Sequence, residues 1–194
     1  AVTGTTSDPL TYTTQGTFYV TWTYTDSKMN SSTQMQTVIV DDVTDPVLVL
    51  DPAVNVWPPN HEYVTFTIAD MVASVADNCN LNLTLGDVFI QYAYSDEYEN
   101  AIGDGDGNTV DDIVIGENCQ SVDIRRERAG ELNGRVYTIV LGVSDGNGNY
   151  TEEHYKIYVC HDMGGSMAVD DGPSNGYTVP GCGAAKYSGH VAVM

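Results

Sequence analysis

The chain is constrained most by an alternation. From Thr17 to Thr25 it reads TFYVTWTYT, so Phe18, Val20, Trp22 and Tyr24 fall on every second position. A period of two lines them along one face of a strand, whereas a helix would scatter them around its cylinder. Alternation returns at 62–69 (EYVTFTIA), and 33–40 (TQMQTVIV), 135–144 (RVYTIVLGVS) and 150–160 (YTEEHYKIYVC) read as further strands beside turns. No segment holds a 3.6-residue period for more than about two turns. Composition agrees. Tyr is the dominant aromatic with 13 copies, against 3 Phe and 2 Trp, and such residues suit a pleated, half-buried surface. Seven Lys+Arg against 27 Asp+Glu leave few cations to lace a helix face with ion pairs. The reading is an all-β protein.

The same imbalance, a net charge of −20, removes several functions. It lacks the basic footprint that nucleic-acid binding requires and opposes contact with anionic lipid. No apolar run reaches the length of a membrane span, so membrane insertion is not expected. Four cysteines without Cys-x-x-Cys spacing suit disulfides better than zinc. Of three connectivities, Cys79–Cys119 and Cys160–Cys182 are favoured, the second because it pins a tail that has little core. This places the chain in an oxidising compartment, secreted or at a cell surface, with any signal peptide already removed.

Turn chemistry sets the organisation. Residues 26–30 (DSKMN) join the first two strands into a hairpin, and 41–46 (DDVTDP) form an acidic linker closed by proline. A second series starts at Val47–Leu50. The WPPNH loop, residues 57–61, reads as structural, with Trp57 capping the core and two prolines fixing the chain. Asp145-Gly-Asn-Gly-Asn149 is the strongest hairpin signal, because Gly and Asn accept positive φ. Residues 46–162 are long enough for an immunoglobulin-like β-sandwich. Residues 1–45 supply only the closing half of one, and 163–194 form a C-terminal extension.

Two stretches carry a resemblance. GTFYVTWTYTDSKMNSSTQMQTVIVDDVTDPV and RVYTIVLGVSDGNGNYTEEHYKIYV resemble the ends of hyalin-repeat (HYR)-type, immunoglobulin-like domains of bacterial surface proteins. VWPPNHEYV, VADNC, IGDGDGNTVDDI and DIRRERAGELNGRVYTIVLGVSDGNGN resemble a recurrent secreted bacterial sandwich domain. The likeness covers residues 10–162. The first hairpin departs from it, with DSKMN in place of Asp-x-x-Gly-Asn, and residues 163–194 match no known pattern. The resemblance implies extracellular tandem arrays with structural or adhesive roles, and it does not imply catalysis.

The main chemical candidate is Gly103–Asp112 (GDGDGNTVDD). Asp104, Asp106 and Asn108 alternate in a glycine-bearing loop, and Asp111 or Asp112 can close a shell of hard oxygen ligands for Ca²⁺. Carboxylates packed this densely repel one another without a cation. It is no EF-hand: Thr109 stands where Gly is expected and Ile115 where the bidentate Glu belongs. A secondary calcium set is Asp41, Asp42 and Asp45 in the linker with Asp145, Asn147 and Asn149. The four histidines show no paired spacing for zinc catalysis, and neither a nucleophile elbow nor a phosphate loop occurs; an enzyme is not expected. Arg125, Arg126 and Arg128 are read as pairing with the chain's own acidic surface, with contact to a neighbouring subunit as the alternative.

An isolated three-stranded fragment exposes an apolar face. Phe18, Val20, Trp22 and Tyr24 each forgo roughly 1.5–3 kcal/mol of burial if left wet. Something must cover them. The tail offers β-prone runs at Tyr177–Val179 and at 187–194 (YSGHVAVM), including Tyr187, Val191 and Val193. Donating such a strand from one copy to the next builds a homopolymer, and a head-to-tail contact that does not close makes a filament. The expectation is a non-enzymatic extracellular filament or surface-array subunit stabilised by Ca²⁺. The alternative is an adhesin or carbohydrate-binding module in which Tyr92, Tyr94 and Tyr98 stack on glycans.

Overall fold

A computed structural model of the chain describes residues 2–100, 107–162, 164 and 167–182. It is an all-β protein that divides into two compact units, Ala1–Val43 and Thr44–Met194.

The first unit is one antiparallel sheet. Its strands are β1 (Gly4–Thr5), β2 (Gly16–Thr25) and β3 (Ser31–Val40), in the order β1-β2-β3. The β2–β3 hairpin keeps one register over its whole length, from Gly16 opposite Val40 to Thr25 opposite Ser31. Asp26 makes the turn. Its Oδ1 accepts the N–H groups of Lys28 (2.8 Å) and Asn30 (2.9 Å), while Met29 adopts φ +67°.

The second unit is a β-sandwich. Its strands are β4 (Val47–Leu50), β5 (Val54–Asn55), β6 (Tyr63–Thr67), β7 (Val72–Ala76), β8 (Phe89–Ser95), β9 (Ile113–Ile115), β10 (Ser121–Arg125), β11 (Arg135–Ser144), β12 (Tyr150–Val159) and β13 (Tyr177–Pro180). One layer is a five-stranded sheet in the order β13-β8-β11-β12-β5. The other holds β6-β10-β9 and the pair β4-β7. Phe66, Val122, Ile124, Leu48 and Val72 from the second layer share a core with Ile90, Ile139, Leu141, Tyr155 and Ile157 from the first. β11 is central, and nine of its ten residues are buried.

Within this second layer the chain passes from one sheet to the next through one turn of helix, α1 (Ile68–Met71). Asp70 Oδ2 accepts the Thr67 N–H (2.8 Å) and hydroxyl (2.6 Å). That capping interaction rotates the backbone by a corner, so β6 pairs with β10 and β7 pairs with β4. Thr84 and Asp87 repeat the device before β8, at 2.8 Å for both hydrogen bonds. Sequence alternation alone reads 62–69 as one strand and does not place β7.

One expectation changes here. The segment after residue 162 is not a separate extension throughout, because β13 pairs antiparallel with β8, Tyr177 opposite Ser95 to Pro180 opposite Tyr92. Tyr177–Val179 is therefore committed to its own sheet and is not free to be donated.

Candidate functional site

Asp104 and Asp106 of the expected calcium loop lie outside the described residues. The rest of the loop is tightly turned: Gly107, Asn108 and Asp111 have φ of +73°, +53° and +59°. Asp111 is exposed, its N–H donating to Glu99 Oε1 (2.5 Å) and its carbonyl accepting the Tyr63 hydroxyl (2.5 Å). Asp112 points the other way. It is fully buried, with Oδ2 2.7 Å from Arg135 Nη1 and Oδ1 3.3 Å from Arg125 Nε. Of the two residues expected to close a shell of ligands, Asp111 faces solvent, whereas Asp112 anchors the loop to two guanidinium groups.

Those guanidinium groups organise a buried charge network. Arg135, at the start of β11, is completely buried. Its Nε lies 3.1 Å from Glu97 Oε2, and its Nη1 lies 3.5 Å from Glu127 Oε1. It also donates to the Tyr137 hydroxyl and the Tyr98 carbonyl, each at 3.0 Å. The Tyr137 hydroxyl in turn donates to the Arg125 carbonyl (2.9 Å). Arg125 stacks 4.1 Å above the Tyr63 ring. Glu127 is further held by the Thr109 hydroxyl and by His61 Nδ1 at 3.3 Å. Three carboxylates thus surround two guanidinium groups, an excess of one negative charge. Burial, reinforced by the neighbouring Glu127 carboxyl, pushes Asp112 up to about 7 despite Arg135. Burial also disfavours a charged Arg135, but Tyr137, Glu97 and Asp112 hold it firmly protonated. The network cross-links the end of β8, the 107–112 loop and the β10–β11 connection. Arg126 pairs with Glu62 at 3.1 Å, and Arg128 donates to the His161 carbonyl at 2.8 Å. The arginine cluster is thus engaged within its own chain.

A second acidic cluster lies in the second unit. Asp145 opens the β11–β12 turn. Its Oδ1 accepts the N–H groups of Asn147 (2.7 Å) and Asn149 (3.1 Å), and its Oδ2 accepts Asn149 Nδ2 (2.6 Å). Burial raises this carboxyl, but hydrogen bonds from Asn147, Asn149 and Gly148 outweigh it and keep the pKa below the ordinary value. Asp45 joins the same turn, accepting the Tyr150 N–H at 3.3 Å. Asn147 is exposed. Asp41 and Asp42 belong to the first unit. The neighbour that sequence reasoning missed is Asp77, whose carboxylate comes within 4.8 Å of the Asp145 carboxylate. Its sequence signal is slight, an aspartate followed by asparagines in Asp77-Asn-Cys-Asn80, and in the fold Asp77 Oδ2 accepts the Cys79 and Asn80 N–H groups, both at 2.7 Å.

The disulfide joins Cys119 to Cys182, one cysteine from each expected pair. Ile90 explains the match. Its N–H donates to the Cys119 carbonyl (2.9 Å), and its carbonyl accepts the Cys182 N–H (3.1 Å), so one residue holds both cysteines side by side. Cys160 ends the β12 side of the sheet, separated from β13 by β11 and β8, and is buried. Cys79 is exposed.

Among the expected assembly residues, Val20 is buried and Phe18, Trp22 and Tyr24 are half-buried. Phe18 stacks on Tyr12 at 4.3 Å, and Trp22 Nε1 donates to Gln36 Oε1 at 2.8 Å. Gly4, Trp22, Tyr24 and Gln34 line an open groove of about 500 Å³. On the opposite face Tyr19, Met35 and Ile39 are exposed. β3 ends the sheet, with no strand on its outer edge among the described residues. Tyr187, Val191 and Val193 lie outside the described residues. Of the tyrosines considered for glycan stacking, Tyr94 is buried, Tyr92 is half-buried and Tyr98 is exposed. Among the described residues no helix is long and apolar enough to cross a membrane. No protein-family model matches the chain, and no curated protein matches it.

Proposed function

We propose that the chain is a non-enzymatic extracellular structural subunit whose N-terminal sheet is completed by a strand from an identical molecule, giving a filament or surface array. One observation carries this reading. The first unit is a three-stranded sheet whose ten-residue β3 has no neighbour on its outer edge among the described residues. Such an edge is a template for strand addition, and soluble proteins normally blunt it with charge, proline or cover. β3 carries neither charge nor proline: its sequence is SSTQMQTVIV. The donor in this reading is the segment 184–194, since β13 is already occupied. Ca²⁺ held by the 103–112 loop belongs to the same proposal, as a stiffener of the second unit. The Asp112–Glu127 pair argues for structure over catalysis, because both side chains are fully buried and clamped by arginine. The HYR-type resemblance fits a tandem extracellular role.

Negative-stain electron microscopy of the purified chain in millimolar Ca²⁺, and of a chain lacking 184–194, tests the proposal. Filaments from the first and monomers from the second are expected. Identical assembly by both refutes strand donation by the tail. Glycan binding is the weaker reading, since Tyr94 is buried against its own sheet.

A further inference from the structure

We infer that Asp77 and Asp145 form a binding site for a calcium-class divalent cation in the second unit, independent of the assembly reading and of the 103–112 loop. Two tight turns build it. In each, backbone N–H groups grip one carboxylate: Cys79 and Asn80 hold Asp77 Oδ2, and Asn147 and Asn149 hold Asp145 Oδ1. Asn80 ties the turns together, because its side-chain Nδ2 also donates to the Asp145 carbonyl at 2.8 Å. The spacing of the two acids is therefore fixed by the fold.

What these contacts leave over points to a cation. Asp77 is only 9% exposed, and its Oδ1 is buried without a hydrogen-bond partner. A buried carboxylate oxygen with no donor is costly, and here a second carboxylate stands within 4.8 Å. Asp145 is 3% exposed, so water screens the pair poorly. Two carboxylates held this close repel one another. A positive charge between the two acids relieves that repulsion directly. Carboxylate oxygens are the hard ligands that Ca²⁺ takes at about 2.3–2.6 Å in adaptable geometry, whereas Mg²⁺ demands a near-ideal octahedron at about 2.0–2.1 Å and holds its waters more tightly.

The test uses the full chain with Asp104→Asn and Asp106→Asn, which silences the other candidate loop. Isothermal titration with CaCl₂ after chelation is expected to show one site, with Mg²⁺ at least about tenfold weaker. Adding Asp77→Asn is expected to weaken Ca²⁺ at least about tenfold while near-ultraviolet circular dichroism stays unchanged, because an amide oxygen still accepts the Cys79 and Asn80 N–H groups. Unchanged Ca²⁺ affinity in the Asp77→Asn chain overturns the assignment. Should that chain fail to fold, the melting temperature of the loop-silenced parent decides: a rise of several degrees in 10 mM CaCl₂ supports the site, and no rise overturns it.

Discussion

Replacing Cys119 and Cys182 together by serine removes a cross-link that encloses the last four strands of the second unit. The bridge closes a loop of 63 residues, and on the chain-entropy model that lowers the unfolded state's entropy enough to stabilise the fold by about 4 kcal/mol at 25 °C. β10, β11, β12 and β13 all lie within the loop, so global unfolding of this unit must open it. With a urea m-value of about 2 kcal/mol/M, the midpoint should fall by about 2 M. Equilibrium urea unfolding followed by tyrosine and tryptophan fluorescence reads this, comparing the oxidised chain, the same chain in reductant and the double serine variant. The last two should coincide. Hydrogen exchange adds a local readout: the β13 amides should lose protection first, since only β8 pairs with that strand. A midpoint shift below about 0.5 M in both reduced forms would refute the reasoning. It would mean that the sheet, not the bridge, fixes β13 and that the unfolded chain gains little freedom on reduction.

Three further outcomes are expected. Arg135→Met leaves Glu97, Asp112 and Glu127 buried without their shared cation and should cost about 3–5 kcal/mol by chemical denaturation; a loss under about 1 kcal/mol would show that the network is not held by that guanidinium. Burial raises Asp112 to about 7 and Asp96 to about 6, whereas unfolded carboxyls ionise near 4. The folded chain therefore binds more protons across that window, and this part of its stability is full below about pH 4 and lost as pH rises through 6 to 7. Asp112→Asn should flatten the decline between about pH 4 and 7, and an unaltered pH profile in that variant would contradict the shift. Gly176→Ala places a Cβ 1.9 Å from the Ser95 carbonyl oxygen, so it should destabilise by about 1–3 kcal/mol, opposite to the usual gain from removing a glycine; a neutral melting temperature would show that β13 shifts freely.

Much of this architecture is legible in local pattern. The β2–β3 hairpin follows from period-two alternation in β2, and the β11–β12 hairpin from turn residues that tolerate positive φ, here Gly146 at +83° and Gly148 at +113°. Long-range pairing is not written locally. β13 is a four-residue strand whose partner lies about 80 residues away, and nothing in YTVP names it. The disulfide followed from that pairing, so a choice based on pinning the tail selected the wrong partners. The charge network was half visible. RRER reads as paired arginines, but the most important cation, Arg135, sits at the head of an apolar strand where sequence suggests only an edge. Asp77 was overlooked because a single aspartate before Asn-Cys-Asn carries weight only once the fold sets it beside Asp145.

The order of strands in the five-stranded sheet has a kinetic consequence. β5 at Val54–Asn55 pairs with Ile157–Tyr158, and β13 closes the opposite edge onto β8. Both borders of the sheet thus wait for residues beyond 155, although the β11–β12 ribbon between them can form by itself. Loop closure over such distances is slow compared with a hairpin, and it has to be met before the contacts reward it. During synthesis the second unit remains open-edged until its last strands emerge. The ribbon is then the natural nucleus, and mutations at its centre, such as Leu141→Ala, should slow folding more than they speed unfolding.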